Sequence, residues 1–541
     1  MINSRNLKPE LAKIHYGGHK MDKTAVTSKK YWLSDVAVIS YIALANLVLH
    51  LIAIQSYNYF RDELYYLACS DHLAAGYVDQ PALSLALLKL VRIAFGDSLV
   101  AIRLLPALGS ALFVLLTGLM AKELGGKNFA LVLASTASFA AIGNLFLFHI
   151  YSMNFLDILF WQVSIFILIR LLKTENPKYW LLFGLAAGLG LENKISIVFL
   201  GLGATIGILL TKNRHYLKSK YLWLGGGLAV LLFLPYLLWN MAHGWPTLEF
   251  IHNAEVHKNI ANTPLGFLRD QLLYNNPLTL IVWLPGLWYF FVHKEGKKFR
   301  LFGWMYLSLY ALFTIQHGKD YYLAPAYPIL FAGGAVWLEN WLQPKGRFWL
   351  KPTLVAVIVI TSLLLCPLTL PLLPVEKTVA FYRQLGIQRS QERTTLGVLP
   401  QHFADMFGWE EMVATIAKVY DTLSPKEQAK CLIYVRNYGE AAAIDFFGKK
   451  YHLPKAACAH NSYWLWGPPQ WNGDVAIIFG TSSDAQRSLD DLRPYFEEVS
   501  QVATTSCQYG MPYENNRAIF ICRGFKKGPF QDVWPREKHF I

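Results

Sequence analysis

Long apolar runs separated by short basic stretches fill residues 31–373. Their lengths, and the sides on which Lys and Arg fall, predict about eleven membrane crossings. The first runs from about Tyr31 to Ser56, and the second, roughly 98–121, returns to "AKELGGKN". A third, about 129–150, turns at "HIYSMNFLD" into a fourth that ends at Arg170 and Lys173. "YWLLFGLAAGLGLENKISIVFLGLGATIGILL" lies between two basic stretches, so it crosses twice, as two short helices meeting near Glu192 and Lys194. The seventh covers about 221–241, and the eighth to tenth end at "HKEGKKFR", "QHGKDYYLAP" and "QPKGRFWLKP". The eleventh covers about 353–373. Every basic cluster then lands on one side, which the positive-inside rule makes cytoplasmic. "LSLALLKLVRIAF" (83–95) departs from this pattern. Its apolar residues recur at helical spacing with Lys89 and Arg92 to one side, which predicts a helix lying in the membrane surface.

Near Pro374 the pattern changes. "CLIYVRNYGEAAAIDFFGKKY" reads as a strand then a helix, "VAIIFGTSSDAQRSLDDLRPYFEEVSQVATT" repeats that order, and "RAIFICRGF" closes with a strand. This alternation predicts a small α/β domain, placed outside the cytoplasm by the odd number of crossings before it. The expected organisation is a basic cytoplasmic tail (1–30), a multi-span, mainly α-helical domain (31–373) and an extracytoplasmic α/β domain (374–541), in the cell membrane.

Composition supports that picture, since 54% of the 541 residues are hydrophobic and only 16% charged. The net charge of +14 is spread through the short clusters, so nucleic acid is not an expected partner. Four of six cysteines (Cys431, Cys458, Cys507, Cys522) lie in the C-terminal region, which fits an oxidising compartment. Cys507 and Cys522 either pair or stay as buried thiols, and a Cys431–Cys458 pairing is equally open. "GLAAGLG" and "GLGATIG" sit inside predicted spans with no strand before them, so they read as close helix packing and not as nucleotide loops.

The candidate chemistry starts at "YNYFRDELYYLACSDHLAAGYVDQPALS" (57–84), where Asp62, Glu63, Asp71 and Asp79 stand among aromatics just beyond the first span. A carboxylate at the membrane surface loses hydration and can serve as a base; a solvated loop is the plainer reading. Asp157, just inside the fourth span, and Glu192 with Lys194 are ionisable groups at membrane depth, where such groups usually face a cavity. A structural Glu192–Lys194 ion pair is the other reading.

These stretches, together with "HGKDYYLAPAYPILFAGGA" and "PQHFADMFGWEEM" in this order, resemble the bacterial relatives of dolichyl-phosphate-mannose protein mannosyltransferases. Those are polytopic GT-C glycosyltransferases, with the lipid A aminoarabinose transferases as more distant cousins. The resemblance covers most of the chain. It implies an inverting transfer of sugar from a polyprenyl-phosphate donor to a glycolipid, glycan or protein hydroxyl at the outer face of the bilayer. It places the catalytic pair at Asp62 and Glu63, with Asp62 as general base and Glu63 orienting it. Arg61, Lys194 and Lys319 are then candidates for the leaving phosphate, with Asp157, Tyr321 and Tyr322 lining the donor site. Tyr65, Tyr66 and Trp245 offer faces to a sugar. No cofactor is required; by analogy, Asp79 with His252 or His257 are weak candidates for a divalent metal. The chain departs from its relatives at "DQPAL", where Ala82 replaces a second proline, and at Tyr65, where the aminoarabinose transferase has Arg. Donor-phosphate contacts therefore do not transfer from that cousin. The alternative is a transporter or flippase for a glycolipid, with Asp157, Glu192 and Lys194 along the path, although no repeated halves are visible.

Overall fold

The computed structural model describes residues 34–387, 392–480 and 484–541, so the basic tail and the start of the first span lie outside the described residues. The predicted crossings are helical: α1 (Asp35–Ala53), then, after α2 (Arg61–Asp71) and α3 (Leu83–Phe95), α4 (Leu99–Glu123) and the broken pair α5 (Asn128–Phe139) and α6 (Ile142–Leu147). α7 (Met153–Thr174), α8 (Tyr179–Leu191), α9 (Ile197–Leu209) and α10 (Lys220–Ala242) follow. After two short helices, α11 (Pro246–Asn253) and α12 (Pro264–Tyr274), come α13 (Leu280–Phe291), α14 (Arg300–Ile315), α15 (Tyr327–Trp341) and α16 (Leu350–Leu365). Five of the described helices are long and apolar enough to cross a membrane alone, or up to six if the bent pair beginning with α9 is one span. The other expected crossings are shorter. This is a membrane protein.

Small residues let the spans close on one another. A Cβ at Gly184 on α8 would lie 2.1 Å from the Gly225 carbonyl oxygen on α10, so the two backbones are in direct contact. Gly207 on α9 packs in the same way against the Leu301 carbonyl on α14. These are the glycine patterns that resembled nucleotide loops. The predicted surface helix is α3, which buries Leu85 and Leu88 and exposes Leu90, Ile93 and Phe95. Lys89 and Arg92 tie it to Asp71 at the end of α2.

The C-terminal region continues with α17 (Val375–Leu385) and α18 (Trp409–Asp421). β1 (Cys431–Val435), α19 (Tyr438–Phe447), β2 (Ala456–Cys458), β3 (Val475–Phe479), α20 (Ala485–Leu492), β4 (Phe496–Thr504) and β5 (Ala518–Phe525) complete it. The sheet order is β2-β1-β3-β5-β4, with β1 parallel to β2 and β3, and β5 antiparallel to β3 and β4. Strands β2 and β4 are the ones that the pattern missed: β2 is only three residues long, and β4 ends the stretch read as strand then helix. One sheet face, through Ile433 and Ile477, shares a buried apolar cluster with Val413, Tyr438 and the α2 residues Leu64 and Tyr65. The C-terminal region is therefore seated on the loop that follows the first span.

All six cysteines are free thiols. Cys458 pairs in register with Val435, four residues beyond Cys431, and Cys522 lies mid-sheet between Ala476 and Val499. Neither disulfide forms, so the cysteines give no disulfide support for an oxidising compartment.

Candidate functional site

The first turn of α2 is pinned from both sides. Glu63 Oε2 accepts the Phe60 N–H at 2.9 Å, and the Arg61 N–H donates to the Asp405 carbonyl at 2.9 Å. Successive helix positions point about 100° apart, so Asp62 and Glu63 meet different surroundings. Glu63 is 0% exposed. Its Oε1 accepts Arg103 Nε and the Tyr151 N–H, both at 2.9 Å, and its Oε2 accepts Arg103 Nη2 at 2.7 Å. Arg103 also donates to the carbonyls of Ile54 and Asn58, which fastens the loop to α4. With both oxygens engaged and closed from solvent, Glu63 positions the loop and does not face the site.

Asp62 is the opposite case. Its side chain is 37% exposed. Oδ1 accepts the Tyr438 hydroxyl at 2.9 Å and lies 3.6 Å from Arg61 Nε. Among the described residues, Oδ2 makes no hydrogen bond, so one oxygen stays open to a ligand.

Several charges gather around it. Arg61 Nη2 lies 3.6 Å from Asp405 Oδ2, and Nη1 donates to the Tyr513 hydroxyl at 2.5 Å. Burial pushes the Asp405 carboxyl up to about 6, against the pull of Arg61. Lys258 and Lys319 flank Glu392 Oε1 at 3.8 and 3.1 Å. Burial pushes the Glu392 carboxyl up, but the charges of Lys258, Lys319 and Arg61 win and bring it to about 2. Burial lowers the ammonium of Lys258. Asp79 accepts the Tyr65 hydroxyl at 3.1 Å, and burial pushes its carboxyl up to about 6.

A second cluster forms where α7 meets the α8–α9 junction. Lys194 Nζ donates to Asn154 Oδ1 at 2.7 Å, lies 3.5 Å from Asp157 Oδ2, and sits 5.3 Å from the Tyr321 ring centroid. Ser196 donates a short hydrogen bond to Asp157. The ion pair expected between Lys194 and Glu192 is thus made with Asp157 instead. The Glu192 carbonyl accepts the Leu83 N–H at 2.9 Å, joining this junction to the first loop. Tyr322 meets Tyr321 edge-on at 4.9 Å.

Two expected sugar platforms are occupied. The Tyr65 ring lies between Tyr438 at 4.5 Å and Tyr463 at 6.4 Å, and Tyr66 is buried, accepting the Met153 N–H. Trp245 is exposed. The metal candidates do not converge. His252 and His257 are exposed, Asp79 lies under Tyr65, and among the described residues no group of three or more His, Cys, Asp or Glu is placed to hold an ion.

Lys258, Glu392, Asp405, Tyr438 and Tyr513 were not singled out by the sequence reading. Asp405 carried one signal, since it lies within "PQHFADMFGWEEM". Tyr438 carried none, being 376 residues from its partner Asp62.

Residues 79–239 match the family model of dolichyl-phosphate-mannose-protein mannosyltransferase. No curated protein sequence matches the chain. The apo crystal structure of ArnT from Cupriavidus metallidurans is similar at 16% identity and TM-score 0.57, covering 91% of this chain and 98% of that one. The crystal structure of the same protein bound to undecaprenyl phosphate is similar at 14% identity and TM-score 0.58, covering 90% and 97%. The family match over residues 79–239 agrees with the resemblance read from the motifs, and this chain has the fold of ArnT.

Proposed function

We propose that the protein is a membrane glycosyltransferase that moves a sugar from a polyprenyl-phosphate donor to an acceptor hydroxyl, with inversion. The observation that carries this reading is Asp62, half-exposed with one free oxygen, beside partly buried cations where the spans meet the C-terminal domain. A sugar or protein hydroxyl is a poor nucleophile at neutral pH. Asp62 takes its proton as the oxygen attacks C1 and the C1–O bond to phosphate breaks, in one displacement. The lipid phosphate leaves with added negative charge. Arg61, Lys258 and Lys319, together with Lys194 of the second cluster, are the cations available to stabilise it. Undecaprenyl phosphate in the ArnT structure supports this donor class. A transport reading would place Asp157 and Lys194 along a path, but here they are bonded to each other and to Ser196 and Asn154.

A sidedness is supported by the other end of the bundle, where Lys122, Arg170, Lys173 and Lys298 pair with Asp35, Glu123 and Glu175. We read that basic end as cytoplasmic by the positive-inside rule, with Asp62 and the C-terminal domain outside. Alkaline phosphatase fused after Ile541 should be active, and silence would reverse this topology. The function is tested with full-length protein in vesicles, given a panel of undecaprenyl-phosphate-linked monosaccharides and, separately, nucleotide sugars. Release of undecaprenyl phosphate is the expected result. Transfer from nucleotide sugars alone would overturn the mechanism.

A further inference from the structure

We propose that Tyr438, the first residue of α19, is a positioning residue for Asp62, fixing which carboxylate oxygen takes the acceptor's proton. The inference rests on the reading of Asp62 as general base, and it makes the C-terminal domain part of the reaction centre.

A carboxylate on the first turn of a helix, half in solvent, has two equivalent oxygens and freedom to turn. The Tyr438 hydroxyl removes that freedom by donating to Oδ1 at 2.9 Å, which leaves Oδ2 for the acceptor. The donor is itself held rigidly. The Tyr438 ring lies 4.5 Å from the Tyr65 ring on one side and has the Arg61 guanidinium 5.5 Å from its centroid. Its N–H donates to His460 Nδ1 at 3.4 Å, and His460 Nε2 donates to the Ile541 carbonyl at 2.9 Å. Close approach of the two helices is required as well. A Cβ at Gly439 would lie 2.6 Å from Arg61 Cγ, so α19 meets α2 at a distance that only glycine permits. Burial holds the Tyr438 phenol well above its usual range, so it keeps its proton and acts as a donor.

The other charged or titratable groups acting around Asp62 are Arg61 on its own helix, Asp79 later in the same loop, and Tyr66. Lys258 and Asp405 act from other segments. None of these donates a hydrogen bond to Asp62, and Tyr438 does.

Tyr438→Phe deletes the hydroxyl and keeps the ring stack. It is assayed in full-length protein with whichever undecaprenyl-phosphate sugar of the panel the wild type turns over fastest. The expected result is a kcat about tenfold to a hundredfold lower, as for loss of a hydrogen bond to a charged group, with donor KM and thermal midpoint unchanged. A purely structural role would instead lower the thermal midpoint along with the rate. A cycle with Asp62→Asn sharpens the test: once the carboxylate is gone, Tyr438→Phe should have little further effect on the residual rate. An equal loss in both backgrounds, or wild-type kcat, would overturn the proposal alone. A wild type inert toward every donor would overturn the general-base reading, and this proposal with it.

Discussion

Helix α4 carries an ion pair at each end, and the two are built differently. Near its start, Arg103 is 1% exposed and its partner Glu63 is 0% exposed, with backbone groups taking up the remaining donors and acceptors. At its last residue, Glu123 accepts from Arg170 at 3.0 Å and Lys173 at 2.9 Å, with side-chain exposures of 18%, 35% and 46%. Removing two charges from water is costly, and the attraction regained repays it only when every partner is in place. The buried pair therefore marks a place where geometry has to be fixed, namely the start of α2, one residue from Asp62. The exposed pair anchors a helix end in water, where an ion pair contributes little. Charge at the two ends serves different purposes, and substitutions should separate them.

The largest effect is expected at Asp62. Asp62→Asn keeps the shape and removes the proton acceptor, so turnover should fall by about 10²- to 10⁴-fold. The thermal midpoint should barely move, because the side chain is half-exposed with one oxygen unused. Wild-type turnover in this variant would leave the site without its base.

Glu63→Gln reverses the readout. It leaves the Arg103 charge buried without its carboxylate, which costs about 3–5 kcal/mol of stability. Melting in detergent measures this directly. A fully stable but inactive Glu63→Gln protein would show instead that Glu63 takes part in the chemistry.

That contrast between neighbours was legible in the sequence only in part. The Asp-Glu pair stood out because it interrupts an apolar pattern, and apolar runs with basic ends made the spans readable. What separates the two acids is the partner each meets. Arg103 lies 40 residues from Glu63 and Tyr438 lies 376 residues from Asp62, and no periodicity reports such meetings. The same limit explains Lys194, whose sequence neighbour Glu192 looked like its partner until the fold brought Asp157 within 3.5 Å. Tyr65 looked like a free sugar platform because sequence does not show that the C-terminal domain covers it.

Lys194 tests whether the second charge cluster serves the leaving group. Lys194→Ala should raise donor KM and lower kcat, by about 10²-fold if the ammonium stabilises the departing phosphate. Lys194→Arg should keep part of the rate. If both variants lose stability with unchanged kinetics, the Lys194–Asp157 pair is only structural.

Glu392 gives a smaller, pH-dependent effect. Its carboxyl is brought from an ordinary value of 4.5 down to about 2, so its contribution to stability is present above about 4.5 and is lost as pH falls toward 2. Asp405 has the opposite sign: raised from 3.8 to about 6, it favours the fold below about 3.8 and loses that contribution as pH rises through 6. Between pH 5 and 3 the Glu392 contribution is lost while that of Asp405 is gained, so Glu392→Gln should gain thermal stability relative to the wild type as pH falls. A constant difference between variant and wild type across that range would show that the Lys258 and Lys319 charges do not act on this carboxyl in solution.

The smallest effect belongs to the exposed end of α4. In Arg170→Ala, Glu123 keeps Lys173 at 2.9 Å, and water replaces the lost guanidinium. Exposed pairs of this kind contribute about 0.2–1 kcal/mol, and salt screens them further. The thermal midpoint should therefore shift slightly at low ionic strength and not at all in high salt, with turnover unchanged, since the charge lies at the opposite end of the bundle from Asp62. The informative comparison is Arg170→Ala against Arg103→Ala in the same buffer, with salt varied. Arg103→Ala should be strongly destabilised at every salt concentration, because neither water nor ions reach the carboxylate it abandons. If the two variants lost similar stability with similar salt dependence, Glu63 would be hydrated in solution, and the division of labour between the two ends of α4 would fail.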